Sequence, residues 1–89
     1  MRTDLNDHIG VVTGAGAGIG RATASLLSDH GATVVGLDID AEPHDGGTHF
    51  DDVVEEGTLV VGDVSDPDSV DELFETAREY GDPSIVVNN

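Results

Sequence analysis

The sequence predicts an α/β fold in which a doubly wound parallel sheet of four strands, ordered 3-2-1-4, carries helices on both faces. Three observations predict it. Short, nearly continuous runs of β-branched and aliphatic residues recur at Ile9 to Thr13, Thr33 to Leu37, Thr58 to Val61 and Ser84 to Val87, the pattern of parallel strands covered on both sides. Between these runs stand segments with apolar residues at helical spacing, so strand and helix alternate as right-handed crossovers require. The first run also leads straight into Thr13-Gly14-Ala15-Gly16-Ala17-Gly18-Ile19-Gly20, a glycine-rich turn at a strand-to-helix junction.

The first strand, Ile9 to Thr13, ends where those glycines begin. Ile19, Ala22, Leu26 and Leu27 then recur at i, i+3, i+7 and i+8, which predicts a helix with these residues facing the core and Gly31 as its stop. Thr33 to Leu37 is the second strand. Ile39 to Gly57, rich in Asp, Gly and His, is longer than structureless loops usually run. Phe50, Val53 and Val54, at i, i+3 and i+4, place a short helix there over residues 50 to 56, closed by Gly57. Thr58 to Val61 is the third strand. Asp66-Pro67 then supplies an N-cap with proline at the first helical position. Val70, Leu73, Phe74 and Ala77 form the apolar face of that helix, opposite Asp68, Asp71, Glu72, Glu75 and Glu79. Gly81 ends it, Ser84 to Val87 is the fourth strand, and Asn88-Asn89 follow. No segment repeats.

At 89 residues the chain reads as a single domain, 1-89, with a thin core, since a chain of this size buries only about 60% of the surface its unfolded form exposes. Hydrophobic residues make up 37% and glycine adds 12 residues, a globular composition that argues against disorder. No apolar run approaches the ~18 residues of a membrane span, and Met1 to Gly10 hold no signal-peptide core. The expectation is a cytoplasmic protein with no membrane partner. Without cysteine there is no disulfide framework and no thiolate metal site. Nineteen Asp and Glu against three Arg, with no Lys, give a formal charge of −16. Nothing here neutralises a row of phosphates, which excludes nucleic acid as a partner. Self-repulsion of this size fades in concentrated salt, where the Debye length falls from ~10 Å at 0.1 M to ~3 Å at 1 M. The composition resembles that of halophilic microbes that accumulate salt, and the absence of Lys favours this over an ordinary acidic protein.

Chemistry concentrates at the glycine-rich turn. At the start of a helix the first backbone N–H groups have no intrahelical partner and point outward. A pyrophosphate can be received there if no Cβ blocks its approach. The spacing is Thr13-Gly14-x-x-x-Gly18-x-Gly20 and not G-x-G-x-x-G, because counting from Gly14 or Gly16 the third glycine would fall on Ile19 or Arg21. Alone, such a run also serves as a tight turn without a ligand. Asp38 adds context: it stands at the carboxyl end of the second strand, 18 residues beyond Gly20. A carboxylate there accepts hydrogen bonds from both hydroxyls of an adenosine ribose and repels a 2′-phosphate. The expected ligand is NAD, preferred over NADP.

With Gly62-Asp63-Val64 after the third strand and Asn88-Asn89 after the fourth, the four motifs in this order resemble the amino-terminal part of the short-chain dehydrogenase/reductase family. They cover nearly all of the chain. The resemblance implies half of a Rossmann fold and a nucleotide-binding role in an oxidoreductase. It implies that Gly14, Gly18 and Gly20 form the pyrophosphate turn, with Ile19 in backbone contact there, and that Asp38 holds the adenosine ribose. Asp63 would accept a hydrogen bond from the adenine amino group while Val64 packs near the ring. Asn88 matches the first Asn of the family's Asn-Asn-Ala-Gly motif, either as a ligand contact or as a structural residue. NADP-preferring relatives commonly carry a basic residue just before the second motif glycine. Here that residue is Ala17, in agreement with Asp38.

Departures from the family pattern bound the reading. Family members are much longer and place a catalytic Ser and a Tyr-x-x-x-Lys in their later half. Neither is present: the only tyrosine, Tyr80, is followed four residues on by Ser84. No catalytic residue is therefore assigned, and hydride transfer between NAD(H) and an alcohol or carbonyl is expected only of a full-length parent. A chain ending at Asn89 would leave strand four as an open edge, so self-association through that edge or through bared apolar helix surface is expected. The alternative is a naturally short, non-catalytic module that binds nucleotide or self-assembles. A SAM-dependent methyltransferase fragment also uses a glycine-rich turn and an acid after strand two, but the spacing and the Asn-Asn pair argue against it.

Other residues are weighed on the same footing. His44, His49, Asp45, Asp51 and Asp52 gather in the crossover between strands two and three. Imidazole with carboxylate can hold a divalent ion, yet the spacing matches no closed site and a solvated acidic loop accounts for the same residues, so no metal is assigned. Arg21, in the first helical turn, is placed either to reach a phosphate or to pair with nearby acids. His8 and His30 flank elements as exposed or capping residues, Asp40 reads as solvated surface, and Tyr80 as the last apolar contact of its helix.

Overall fold

The structure, a computed structural model, describes residues 4–89. Strands and helices alternate as β1 (Ile9–Thr13), α1 (Gly18–Asp29), β2 (Thr33–Asp38), α2 (Phe50–Val53), β3 (Gly57–Val61), α3 (Pro67–Arg78) and β4 (Pro83–Val87). Every strand pairing is parallel, and the order across the sheet is β3-β2-β1-β4, as the sequence predicts.

Because successive side chains on a strand point to opposite faces, the strands sort the core into two layers. On one face Val11, Val35, Leu37 and Val60 meet Leu73 and Ala77 of α3, with Phe74 alongside. On the other, Val12 and Val34 meet Ala24 of α1 and Phe50 of α2, with Leu27 and Leu59 alongside. β1 and β2 are buried at every position, while β4 alternates half-buried and exposed residues. The pairing of β1 with β4 slips by one residue between Ile9 and Gly10. Next to that irregularity, the exposed His8 places its Nδ1 2.8 Å from the Ser84 hydroxyl. At the start of α3 the Asp66 carboxylate accepts the Asp68 N–H at 3.0 Å with Pro67 just inside, the cap expected from Asp66-Pro67. Among the described residues no helix is long and apolar enough to cross a membrane.

Two expectations change. The inward face of α1 is not the one marked by Ile19, Ala22 and Leu26: Ile19 is 79% and Leu26 58% exposed, and Ala22 is exposed too. Gly20, Ala24 and Ser28 are buried instead, with Leu27 half-buried beside them. The helix sits so close to the sheet that small residues line the contact, and counting apolar positions alone rotated the expected face. The second change concerns α2, which is a single turn over Phe50–Val53 and not residues 50 to 56. Val54 is already extended, and the Glu56 carbonyl accepts the Val34 N–H at 2.9 Å. Gly57 therefore opens β3 and does not close the helix. A single helical turn gains few hydrogen bonds against the cost of nucleating it, so the sheet takes the segment.

The two leucines Leu73, fully buried, and Leu26, on the solvent side, separate the faces experimentally. Leu73→Ala is expected to cost about 2–5 kcal/mol of unfolding free energy and Leu26→Ala no more than about 0.5 kcal/mol, read from urea unfolding curves.

Candidate functional site

The loops leaving the carboxyl ends of β1, β2 and β3 enclose a cleft of about 240 Å³, lined by Gly14, Leu37, Asp38, Ile39, Gly62, Asp63, Val64 and Asn89. In open α/β sheets this edge, where the strand order reverses, is where ligands bind. The glycine-rich turn reaches the cleft through Gly14, while Gly18, Ile19 and Gly20 lie beyond its lining. Gly14 and Gly18 have φ of 65° and 58°, left-handed backbone that costs glycine little. A Cβ on Gly20 would run into the carbonyl of Gly14, so glycine lets the first turn of α1 rest against the end of β1. The N–H groups of Gly18, Ile19 and Gly20 open the helix without intrahelical acceptors, and the positive end of the helix dipole lies with them. Ala17, at the N-cap, offers no side-chain acceptor, and the first turn contains no acid.

Asp38 closes β2 and is buried. Its Oδ2 accepts the Gly16 N–H at 2.8 Å and its Oδ1 the Asp40 N–H at 3.2 Å, so the carboxylate that lines the cleft also pins the turn. Gly16 is thereby part of the site, although the motif treats it as a spacer. Its signal in the sequence is a glycine at a position where the motif requires none. Across the cleft Asp63 and Val64 are exposed. The Ser65 N–H and hydroxyl donate to Asp63 Oδ1 at 2.9 and 2.7 Å, and these bonds, the backbone one first, hold its carboxyl below the ordinary aspartate range.

Thr13 knots β1 to the residues after β4. Its hydroxyl donates to Asn88 Oδ1 at 2.8 Å and accepts the Asn89 N–H at 3.0 Å, while Asn89 Nδ2 donates to the Thr13 carbonyl at 3.1 Å. Asn88 faces a second, apolar hollow of about 190 Å³ beside Leu73, Phe74 and Val86, and Asn89 is the one that lines the main cleft. The sequence alone had singled out Asn88.

Of the two roles open to Arg21, the structure contains the ion pair. Its guanidinium meets Asp45 through two bonds of 3.0 and 3.1 Å. Asp45 also accepts the Gly47 N–H at 2.9 Å and the Gly18 N–H at 3.2 Å. Arg21 first, then Gly47, hold the Asp45 carboxyl far below the usual carboxylate range. In the same crossover His49 pairs with Glu42 at 2.6 Å, and Asp51 and Asp52 lie on the exposed first turn of α2. Among the described residues no three His, Asp or Glu side chains gather to hold a metal ion. His30 occupies the C-cap of α1, and Tyr80, just past α3, is 44% exposed.

Residues 14–89 match the family model described as Enoyl-(Acyl carrier protein) reductase. The fold superposes on a short chain dehydrogenase from Mycobacterium thermoresistibile with a TM-score of 0.79 at 27% identity, over 97% of this chain and 34% of that one. The chain belongs to the short-chain dehydrogenase/reductase family. It is 41% identical over 93 residues to a hydroxyacyl-CoA dehydrogenase of Mycobacterium tuberculosis, covering 98% of this chain and 29% of that relative. Among solved short-chain dehydrogenase/reductase folds, a hydroxysteroid dehydrogenase from Escherichia coli matches with a TM-score of 0.82 at 30% identity, over 97% of this chain and 37% of that one. An apo glucose dehydrogenase of Caenorhabditis elegans gives 0.83 at 30% identity, over 98% and 39%. The chain thus spans about a third of the length of these relatives.

The Asp63–Ser65 turn carries a pH prediction. A carboxyl whose folded pKa is depressed stabilises the fold above its unfolded pKa and loses that contribution as pH falls through the folded value. Followed by carboxyl ¹³C NMR, Asp63 is expected to titrate below 3.8. Ser65→Ala, which removes the hydroxyl donor, is expected to raise that midpoint.

Proposed function

We propose that this chain is the NAD-binding portion of an oxidoreductase, and that within a full-length parent it presents NAD(H) for hydride transfer to or from an alcohol or carbonyl. The observation that carries the reading is the β1–α1 junction, where Gly20 packs on the Gly14 carbonyl and the helix opens its N–H groups beside Asp38. A side chain at position 20 would collide with the Gly14 carbonyl and push the helix start off the strand, and a dinucleotide fits the donor set that the close approach presents. The pyrophosphate would take the N–H groups of the Gly14, Gly18, Ile19 and Gly20 turn. Asp38 would hold the adenosine ribose, Asp63 the adenine amino group, and the exposed Val64 one face of the adenine. Asn88, with its oxygen already accepting from Thr13, would serve by tying β1 to β4. When bound, the nicotinamide supplies the hydride chemistry. This sequence holds no Lys and no Tyr-x-x-x-Lys, so the chain's own part is to bind and orient.

NAD is preferred over NADP in this reading, because Asp38 repels a 2′-phosphate and Ala17 supplies no compensating cation. The dehydrogenase names of the relatives support the alcohol/carbonyl class. The reading includes a cytoplasmic setting and a salt-rich one, for which a charge of −16 is suited. It also includes pairing of two copies along β4, which among the described strands pairs only with β1.

Calorimetric titration in about 2 M KCl tests the cofactor assignment. The chain is expected to bind NAD at least about tenfold more tightly than NADP. Asp38→Asn, which keeps an acceptor for Gly16 but removes the charge, should narrow that ratio, and Asp38→Ala should weaken NAD itself. Equal affinity for the two dinucleotides in the unaltered chain would overturn the NAD assignment. Because NAD is an anion approaching an acidic chain, its affinity should rise between 0.1 and 1 M salt, about one Debye length of ~10 Å giving way to ~3 Å.

A further inference from the structure

In a chain with 19 acids, the first turn of α1 contains none, and its N-cap Ala17 has no accepting side chain. α3 shows the ordinary solution, with Asp66 capping and Asp68 in the first turn. The acid that α1 lacks arrives from the crossover after β2: Asp45, 27 positions beyond Gly18, places its carboxylate on the Gly18 N–H. The same carboxylate takes both prongs of Arg21, which projects from the first turn of α1, and the Gly47 N–H. The crossover wraps the guanidinium closely enough that a Cβ on Gly47 would lie 2.7 Å from Arg21 Nη2.

A helix-start N–H beside a two-pronged guanidinium is the donor set a phosphate recognises. Here a carboxylate of the chain itself satisfies it. Resting on the dinucleotide reading above, we propose that Asp45 is a built-in competitor for the phosphate-binding end of α1, and that dinucleotide binding displaces it and hands Arg21 to a ligand phosphate. The exchange is feasible because the pair lies at the surface, Asp45 exposed and Arg21 half-buried, so a phosphate arriving from solvent can reach the guanidinium as the carboxylate leaves it. The crossover then behaves as a latch: closed on Asp45 without ligand, open when a phosphate arrives. Arg21 serves both states, and the observed affinity is the intrinsic one reduced by the fraction of open molecules.

NAD titrations of the unaltered chain, Asp45→Asn and Asp52→Asn at one salt concentration test this. Asp45→Asn is expected to tighten NAD about three- to tenfold. Asp52→Asn removes the same charge from the exposed turn of α2 and should change affinity less than about twofold. If the unaltered chain binds NAD and Asp45→Asn binds no better, or if Asp52→Asn gains as much, the latch is overturned while the dinucleotide reading stands. If neither the unaltered chain nor Asp45→Asn, both folded by circular dichroism, binds NAD, both readings fall. A second measurement needs no variant. Inorganic pyrophosphate added to the ¹⁵N-labelled chain should shift the Gly18 and Gly47 amide resonances together, because both donate to Asp45 in the closed latch. Movement of Gly18 with Gly47 unmoved would overturn the displacement.

Discussion

With a side chain at position 20, the first turn of α1 would have to back away from the Gly14 carbonyl, and from Asn89 beside it, two residues that line the cleft. That one contact sets how near the helix comes to β1, and the nearness dictates the small residues, Gly20, Ala24 and Ser28, along the helix's inner face. It also fixes the helix start, whose Gly18 N–H the Asp45 carboxylate accepts, at the end of the sheet. Asp38 depends on the same placement, since its hydrogen bond to the Gly16 N–H requires the turn to lie across the end of β2. A steric fact at a single atom thus propagates into the packing of one whole layer and into the electrostatics of the cleft.

The architecture was legible because its signals are local and redundant. Four β-branched runs, the Asp66-Pro67 cap and the glycine turn each specify an element without reference to the others. The site was legible in part for the same reason: Gly14, Asp38, Asp63 and Val64 all line the cleft. What escaped was whatever depends on distance of approach or on partners remote in the chain. The face of α1 is not legible from Ile19 and Leu26, because the helix start rests against β1 and the contact is lined by Gly20, Ala24 and Ser28, with Leu27 alone of the larger residues packed beside them. The length of α2 was misjudged because Val54 and Glu56 belong to β3's approach, and the pairing that claims them lies on β2. Asn89 and Gly16 escaped because their roles come from bonds to Thr13 and Asp38 across the sheet.

Acidity, which looks like a bulk property of the sequence, has two distinct structural roles. Most carboxylates lie on exposed helix faces and in the crossover, where they are solvated and screened. Asp4, Asp38, Asp45, Asp63 and Asp66 instead receive backbone N–H bonds. These five hold turns and helix starts in place, so short acidic side chains do work in this fold that a Lys-rich surface would leave to other groups.

The Thr13 knot joins residues 75 positions apart, and every strand pairing in the sheet is a long-range one. A chain built this way closes large loops before its contacts repay the lost entropy, which slows folding. β1 is central in the sheet but first in the chain, so during synthesis it is made before either of its neighbours exists. Its apolar run, Ile9 to Val12, must wait with both edges unpaired, the condition under which such segments aggregate. Up to residue 32, before β2 exists, the chain holds three acids and two Arg, so the charge of −16 arrives only with the later segments, and it is pairing with β2, not repulsion between copies, that ends the wait.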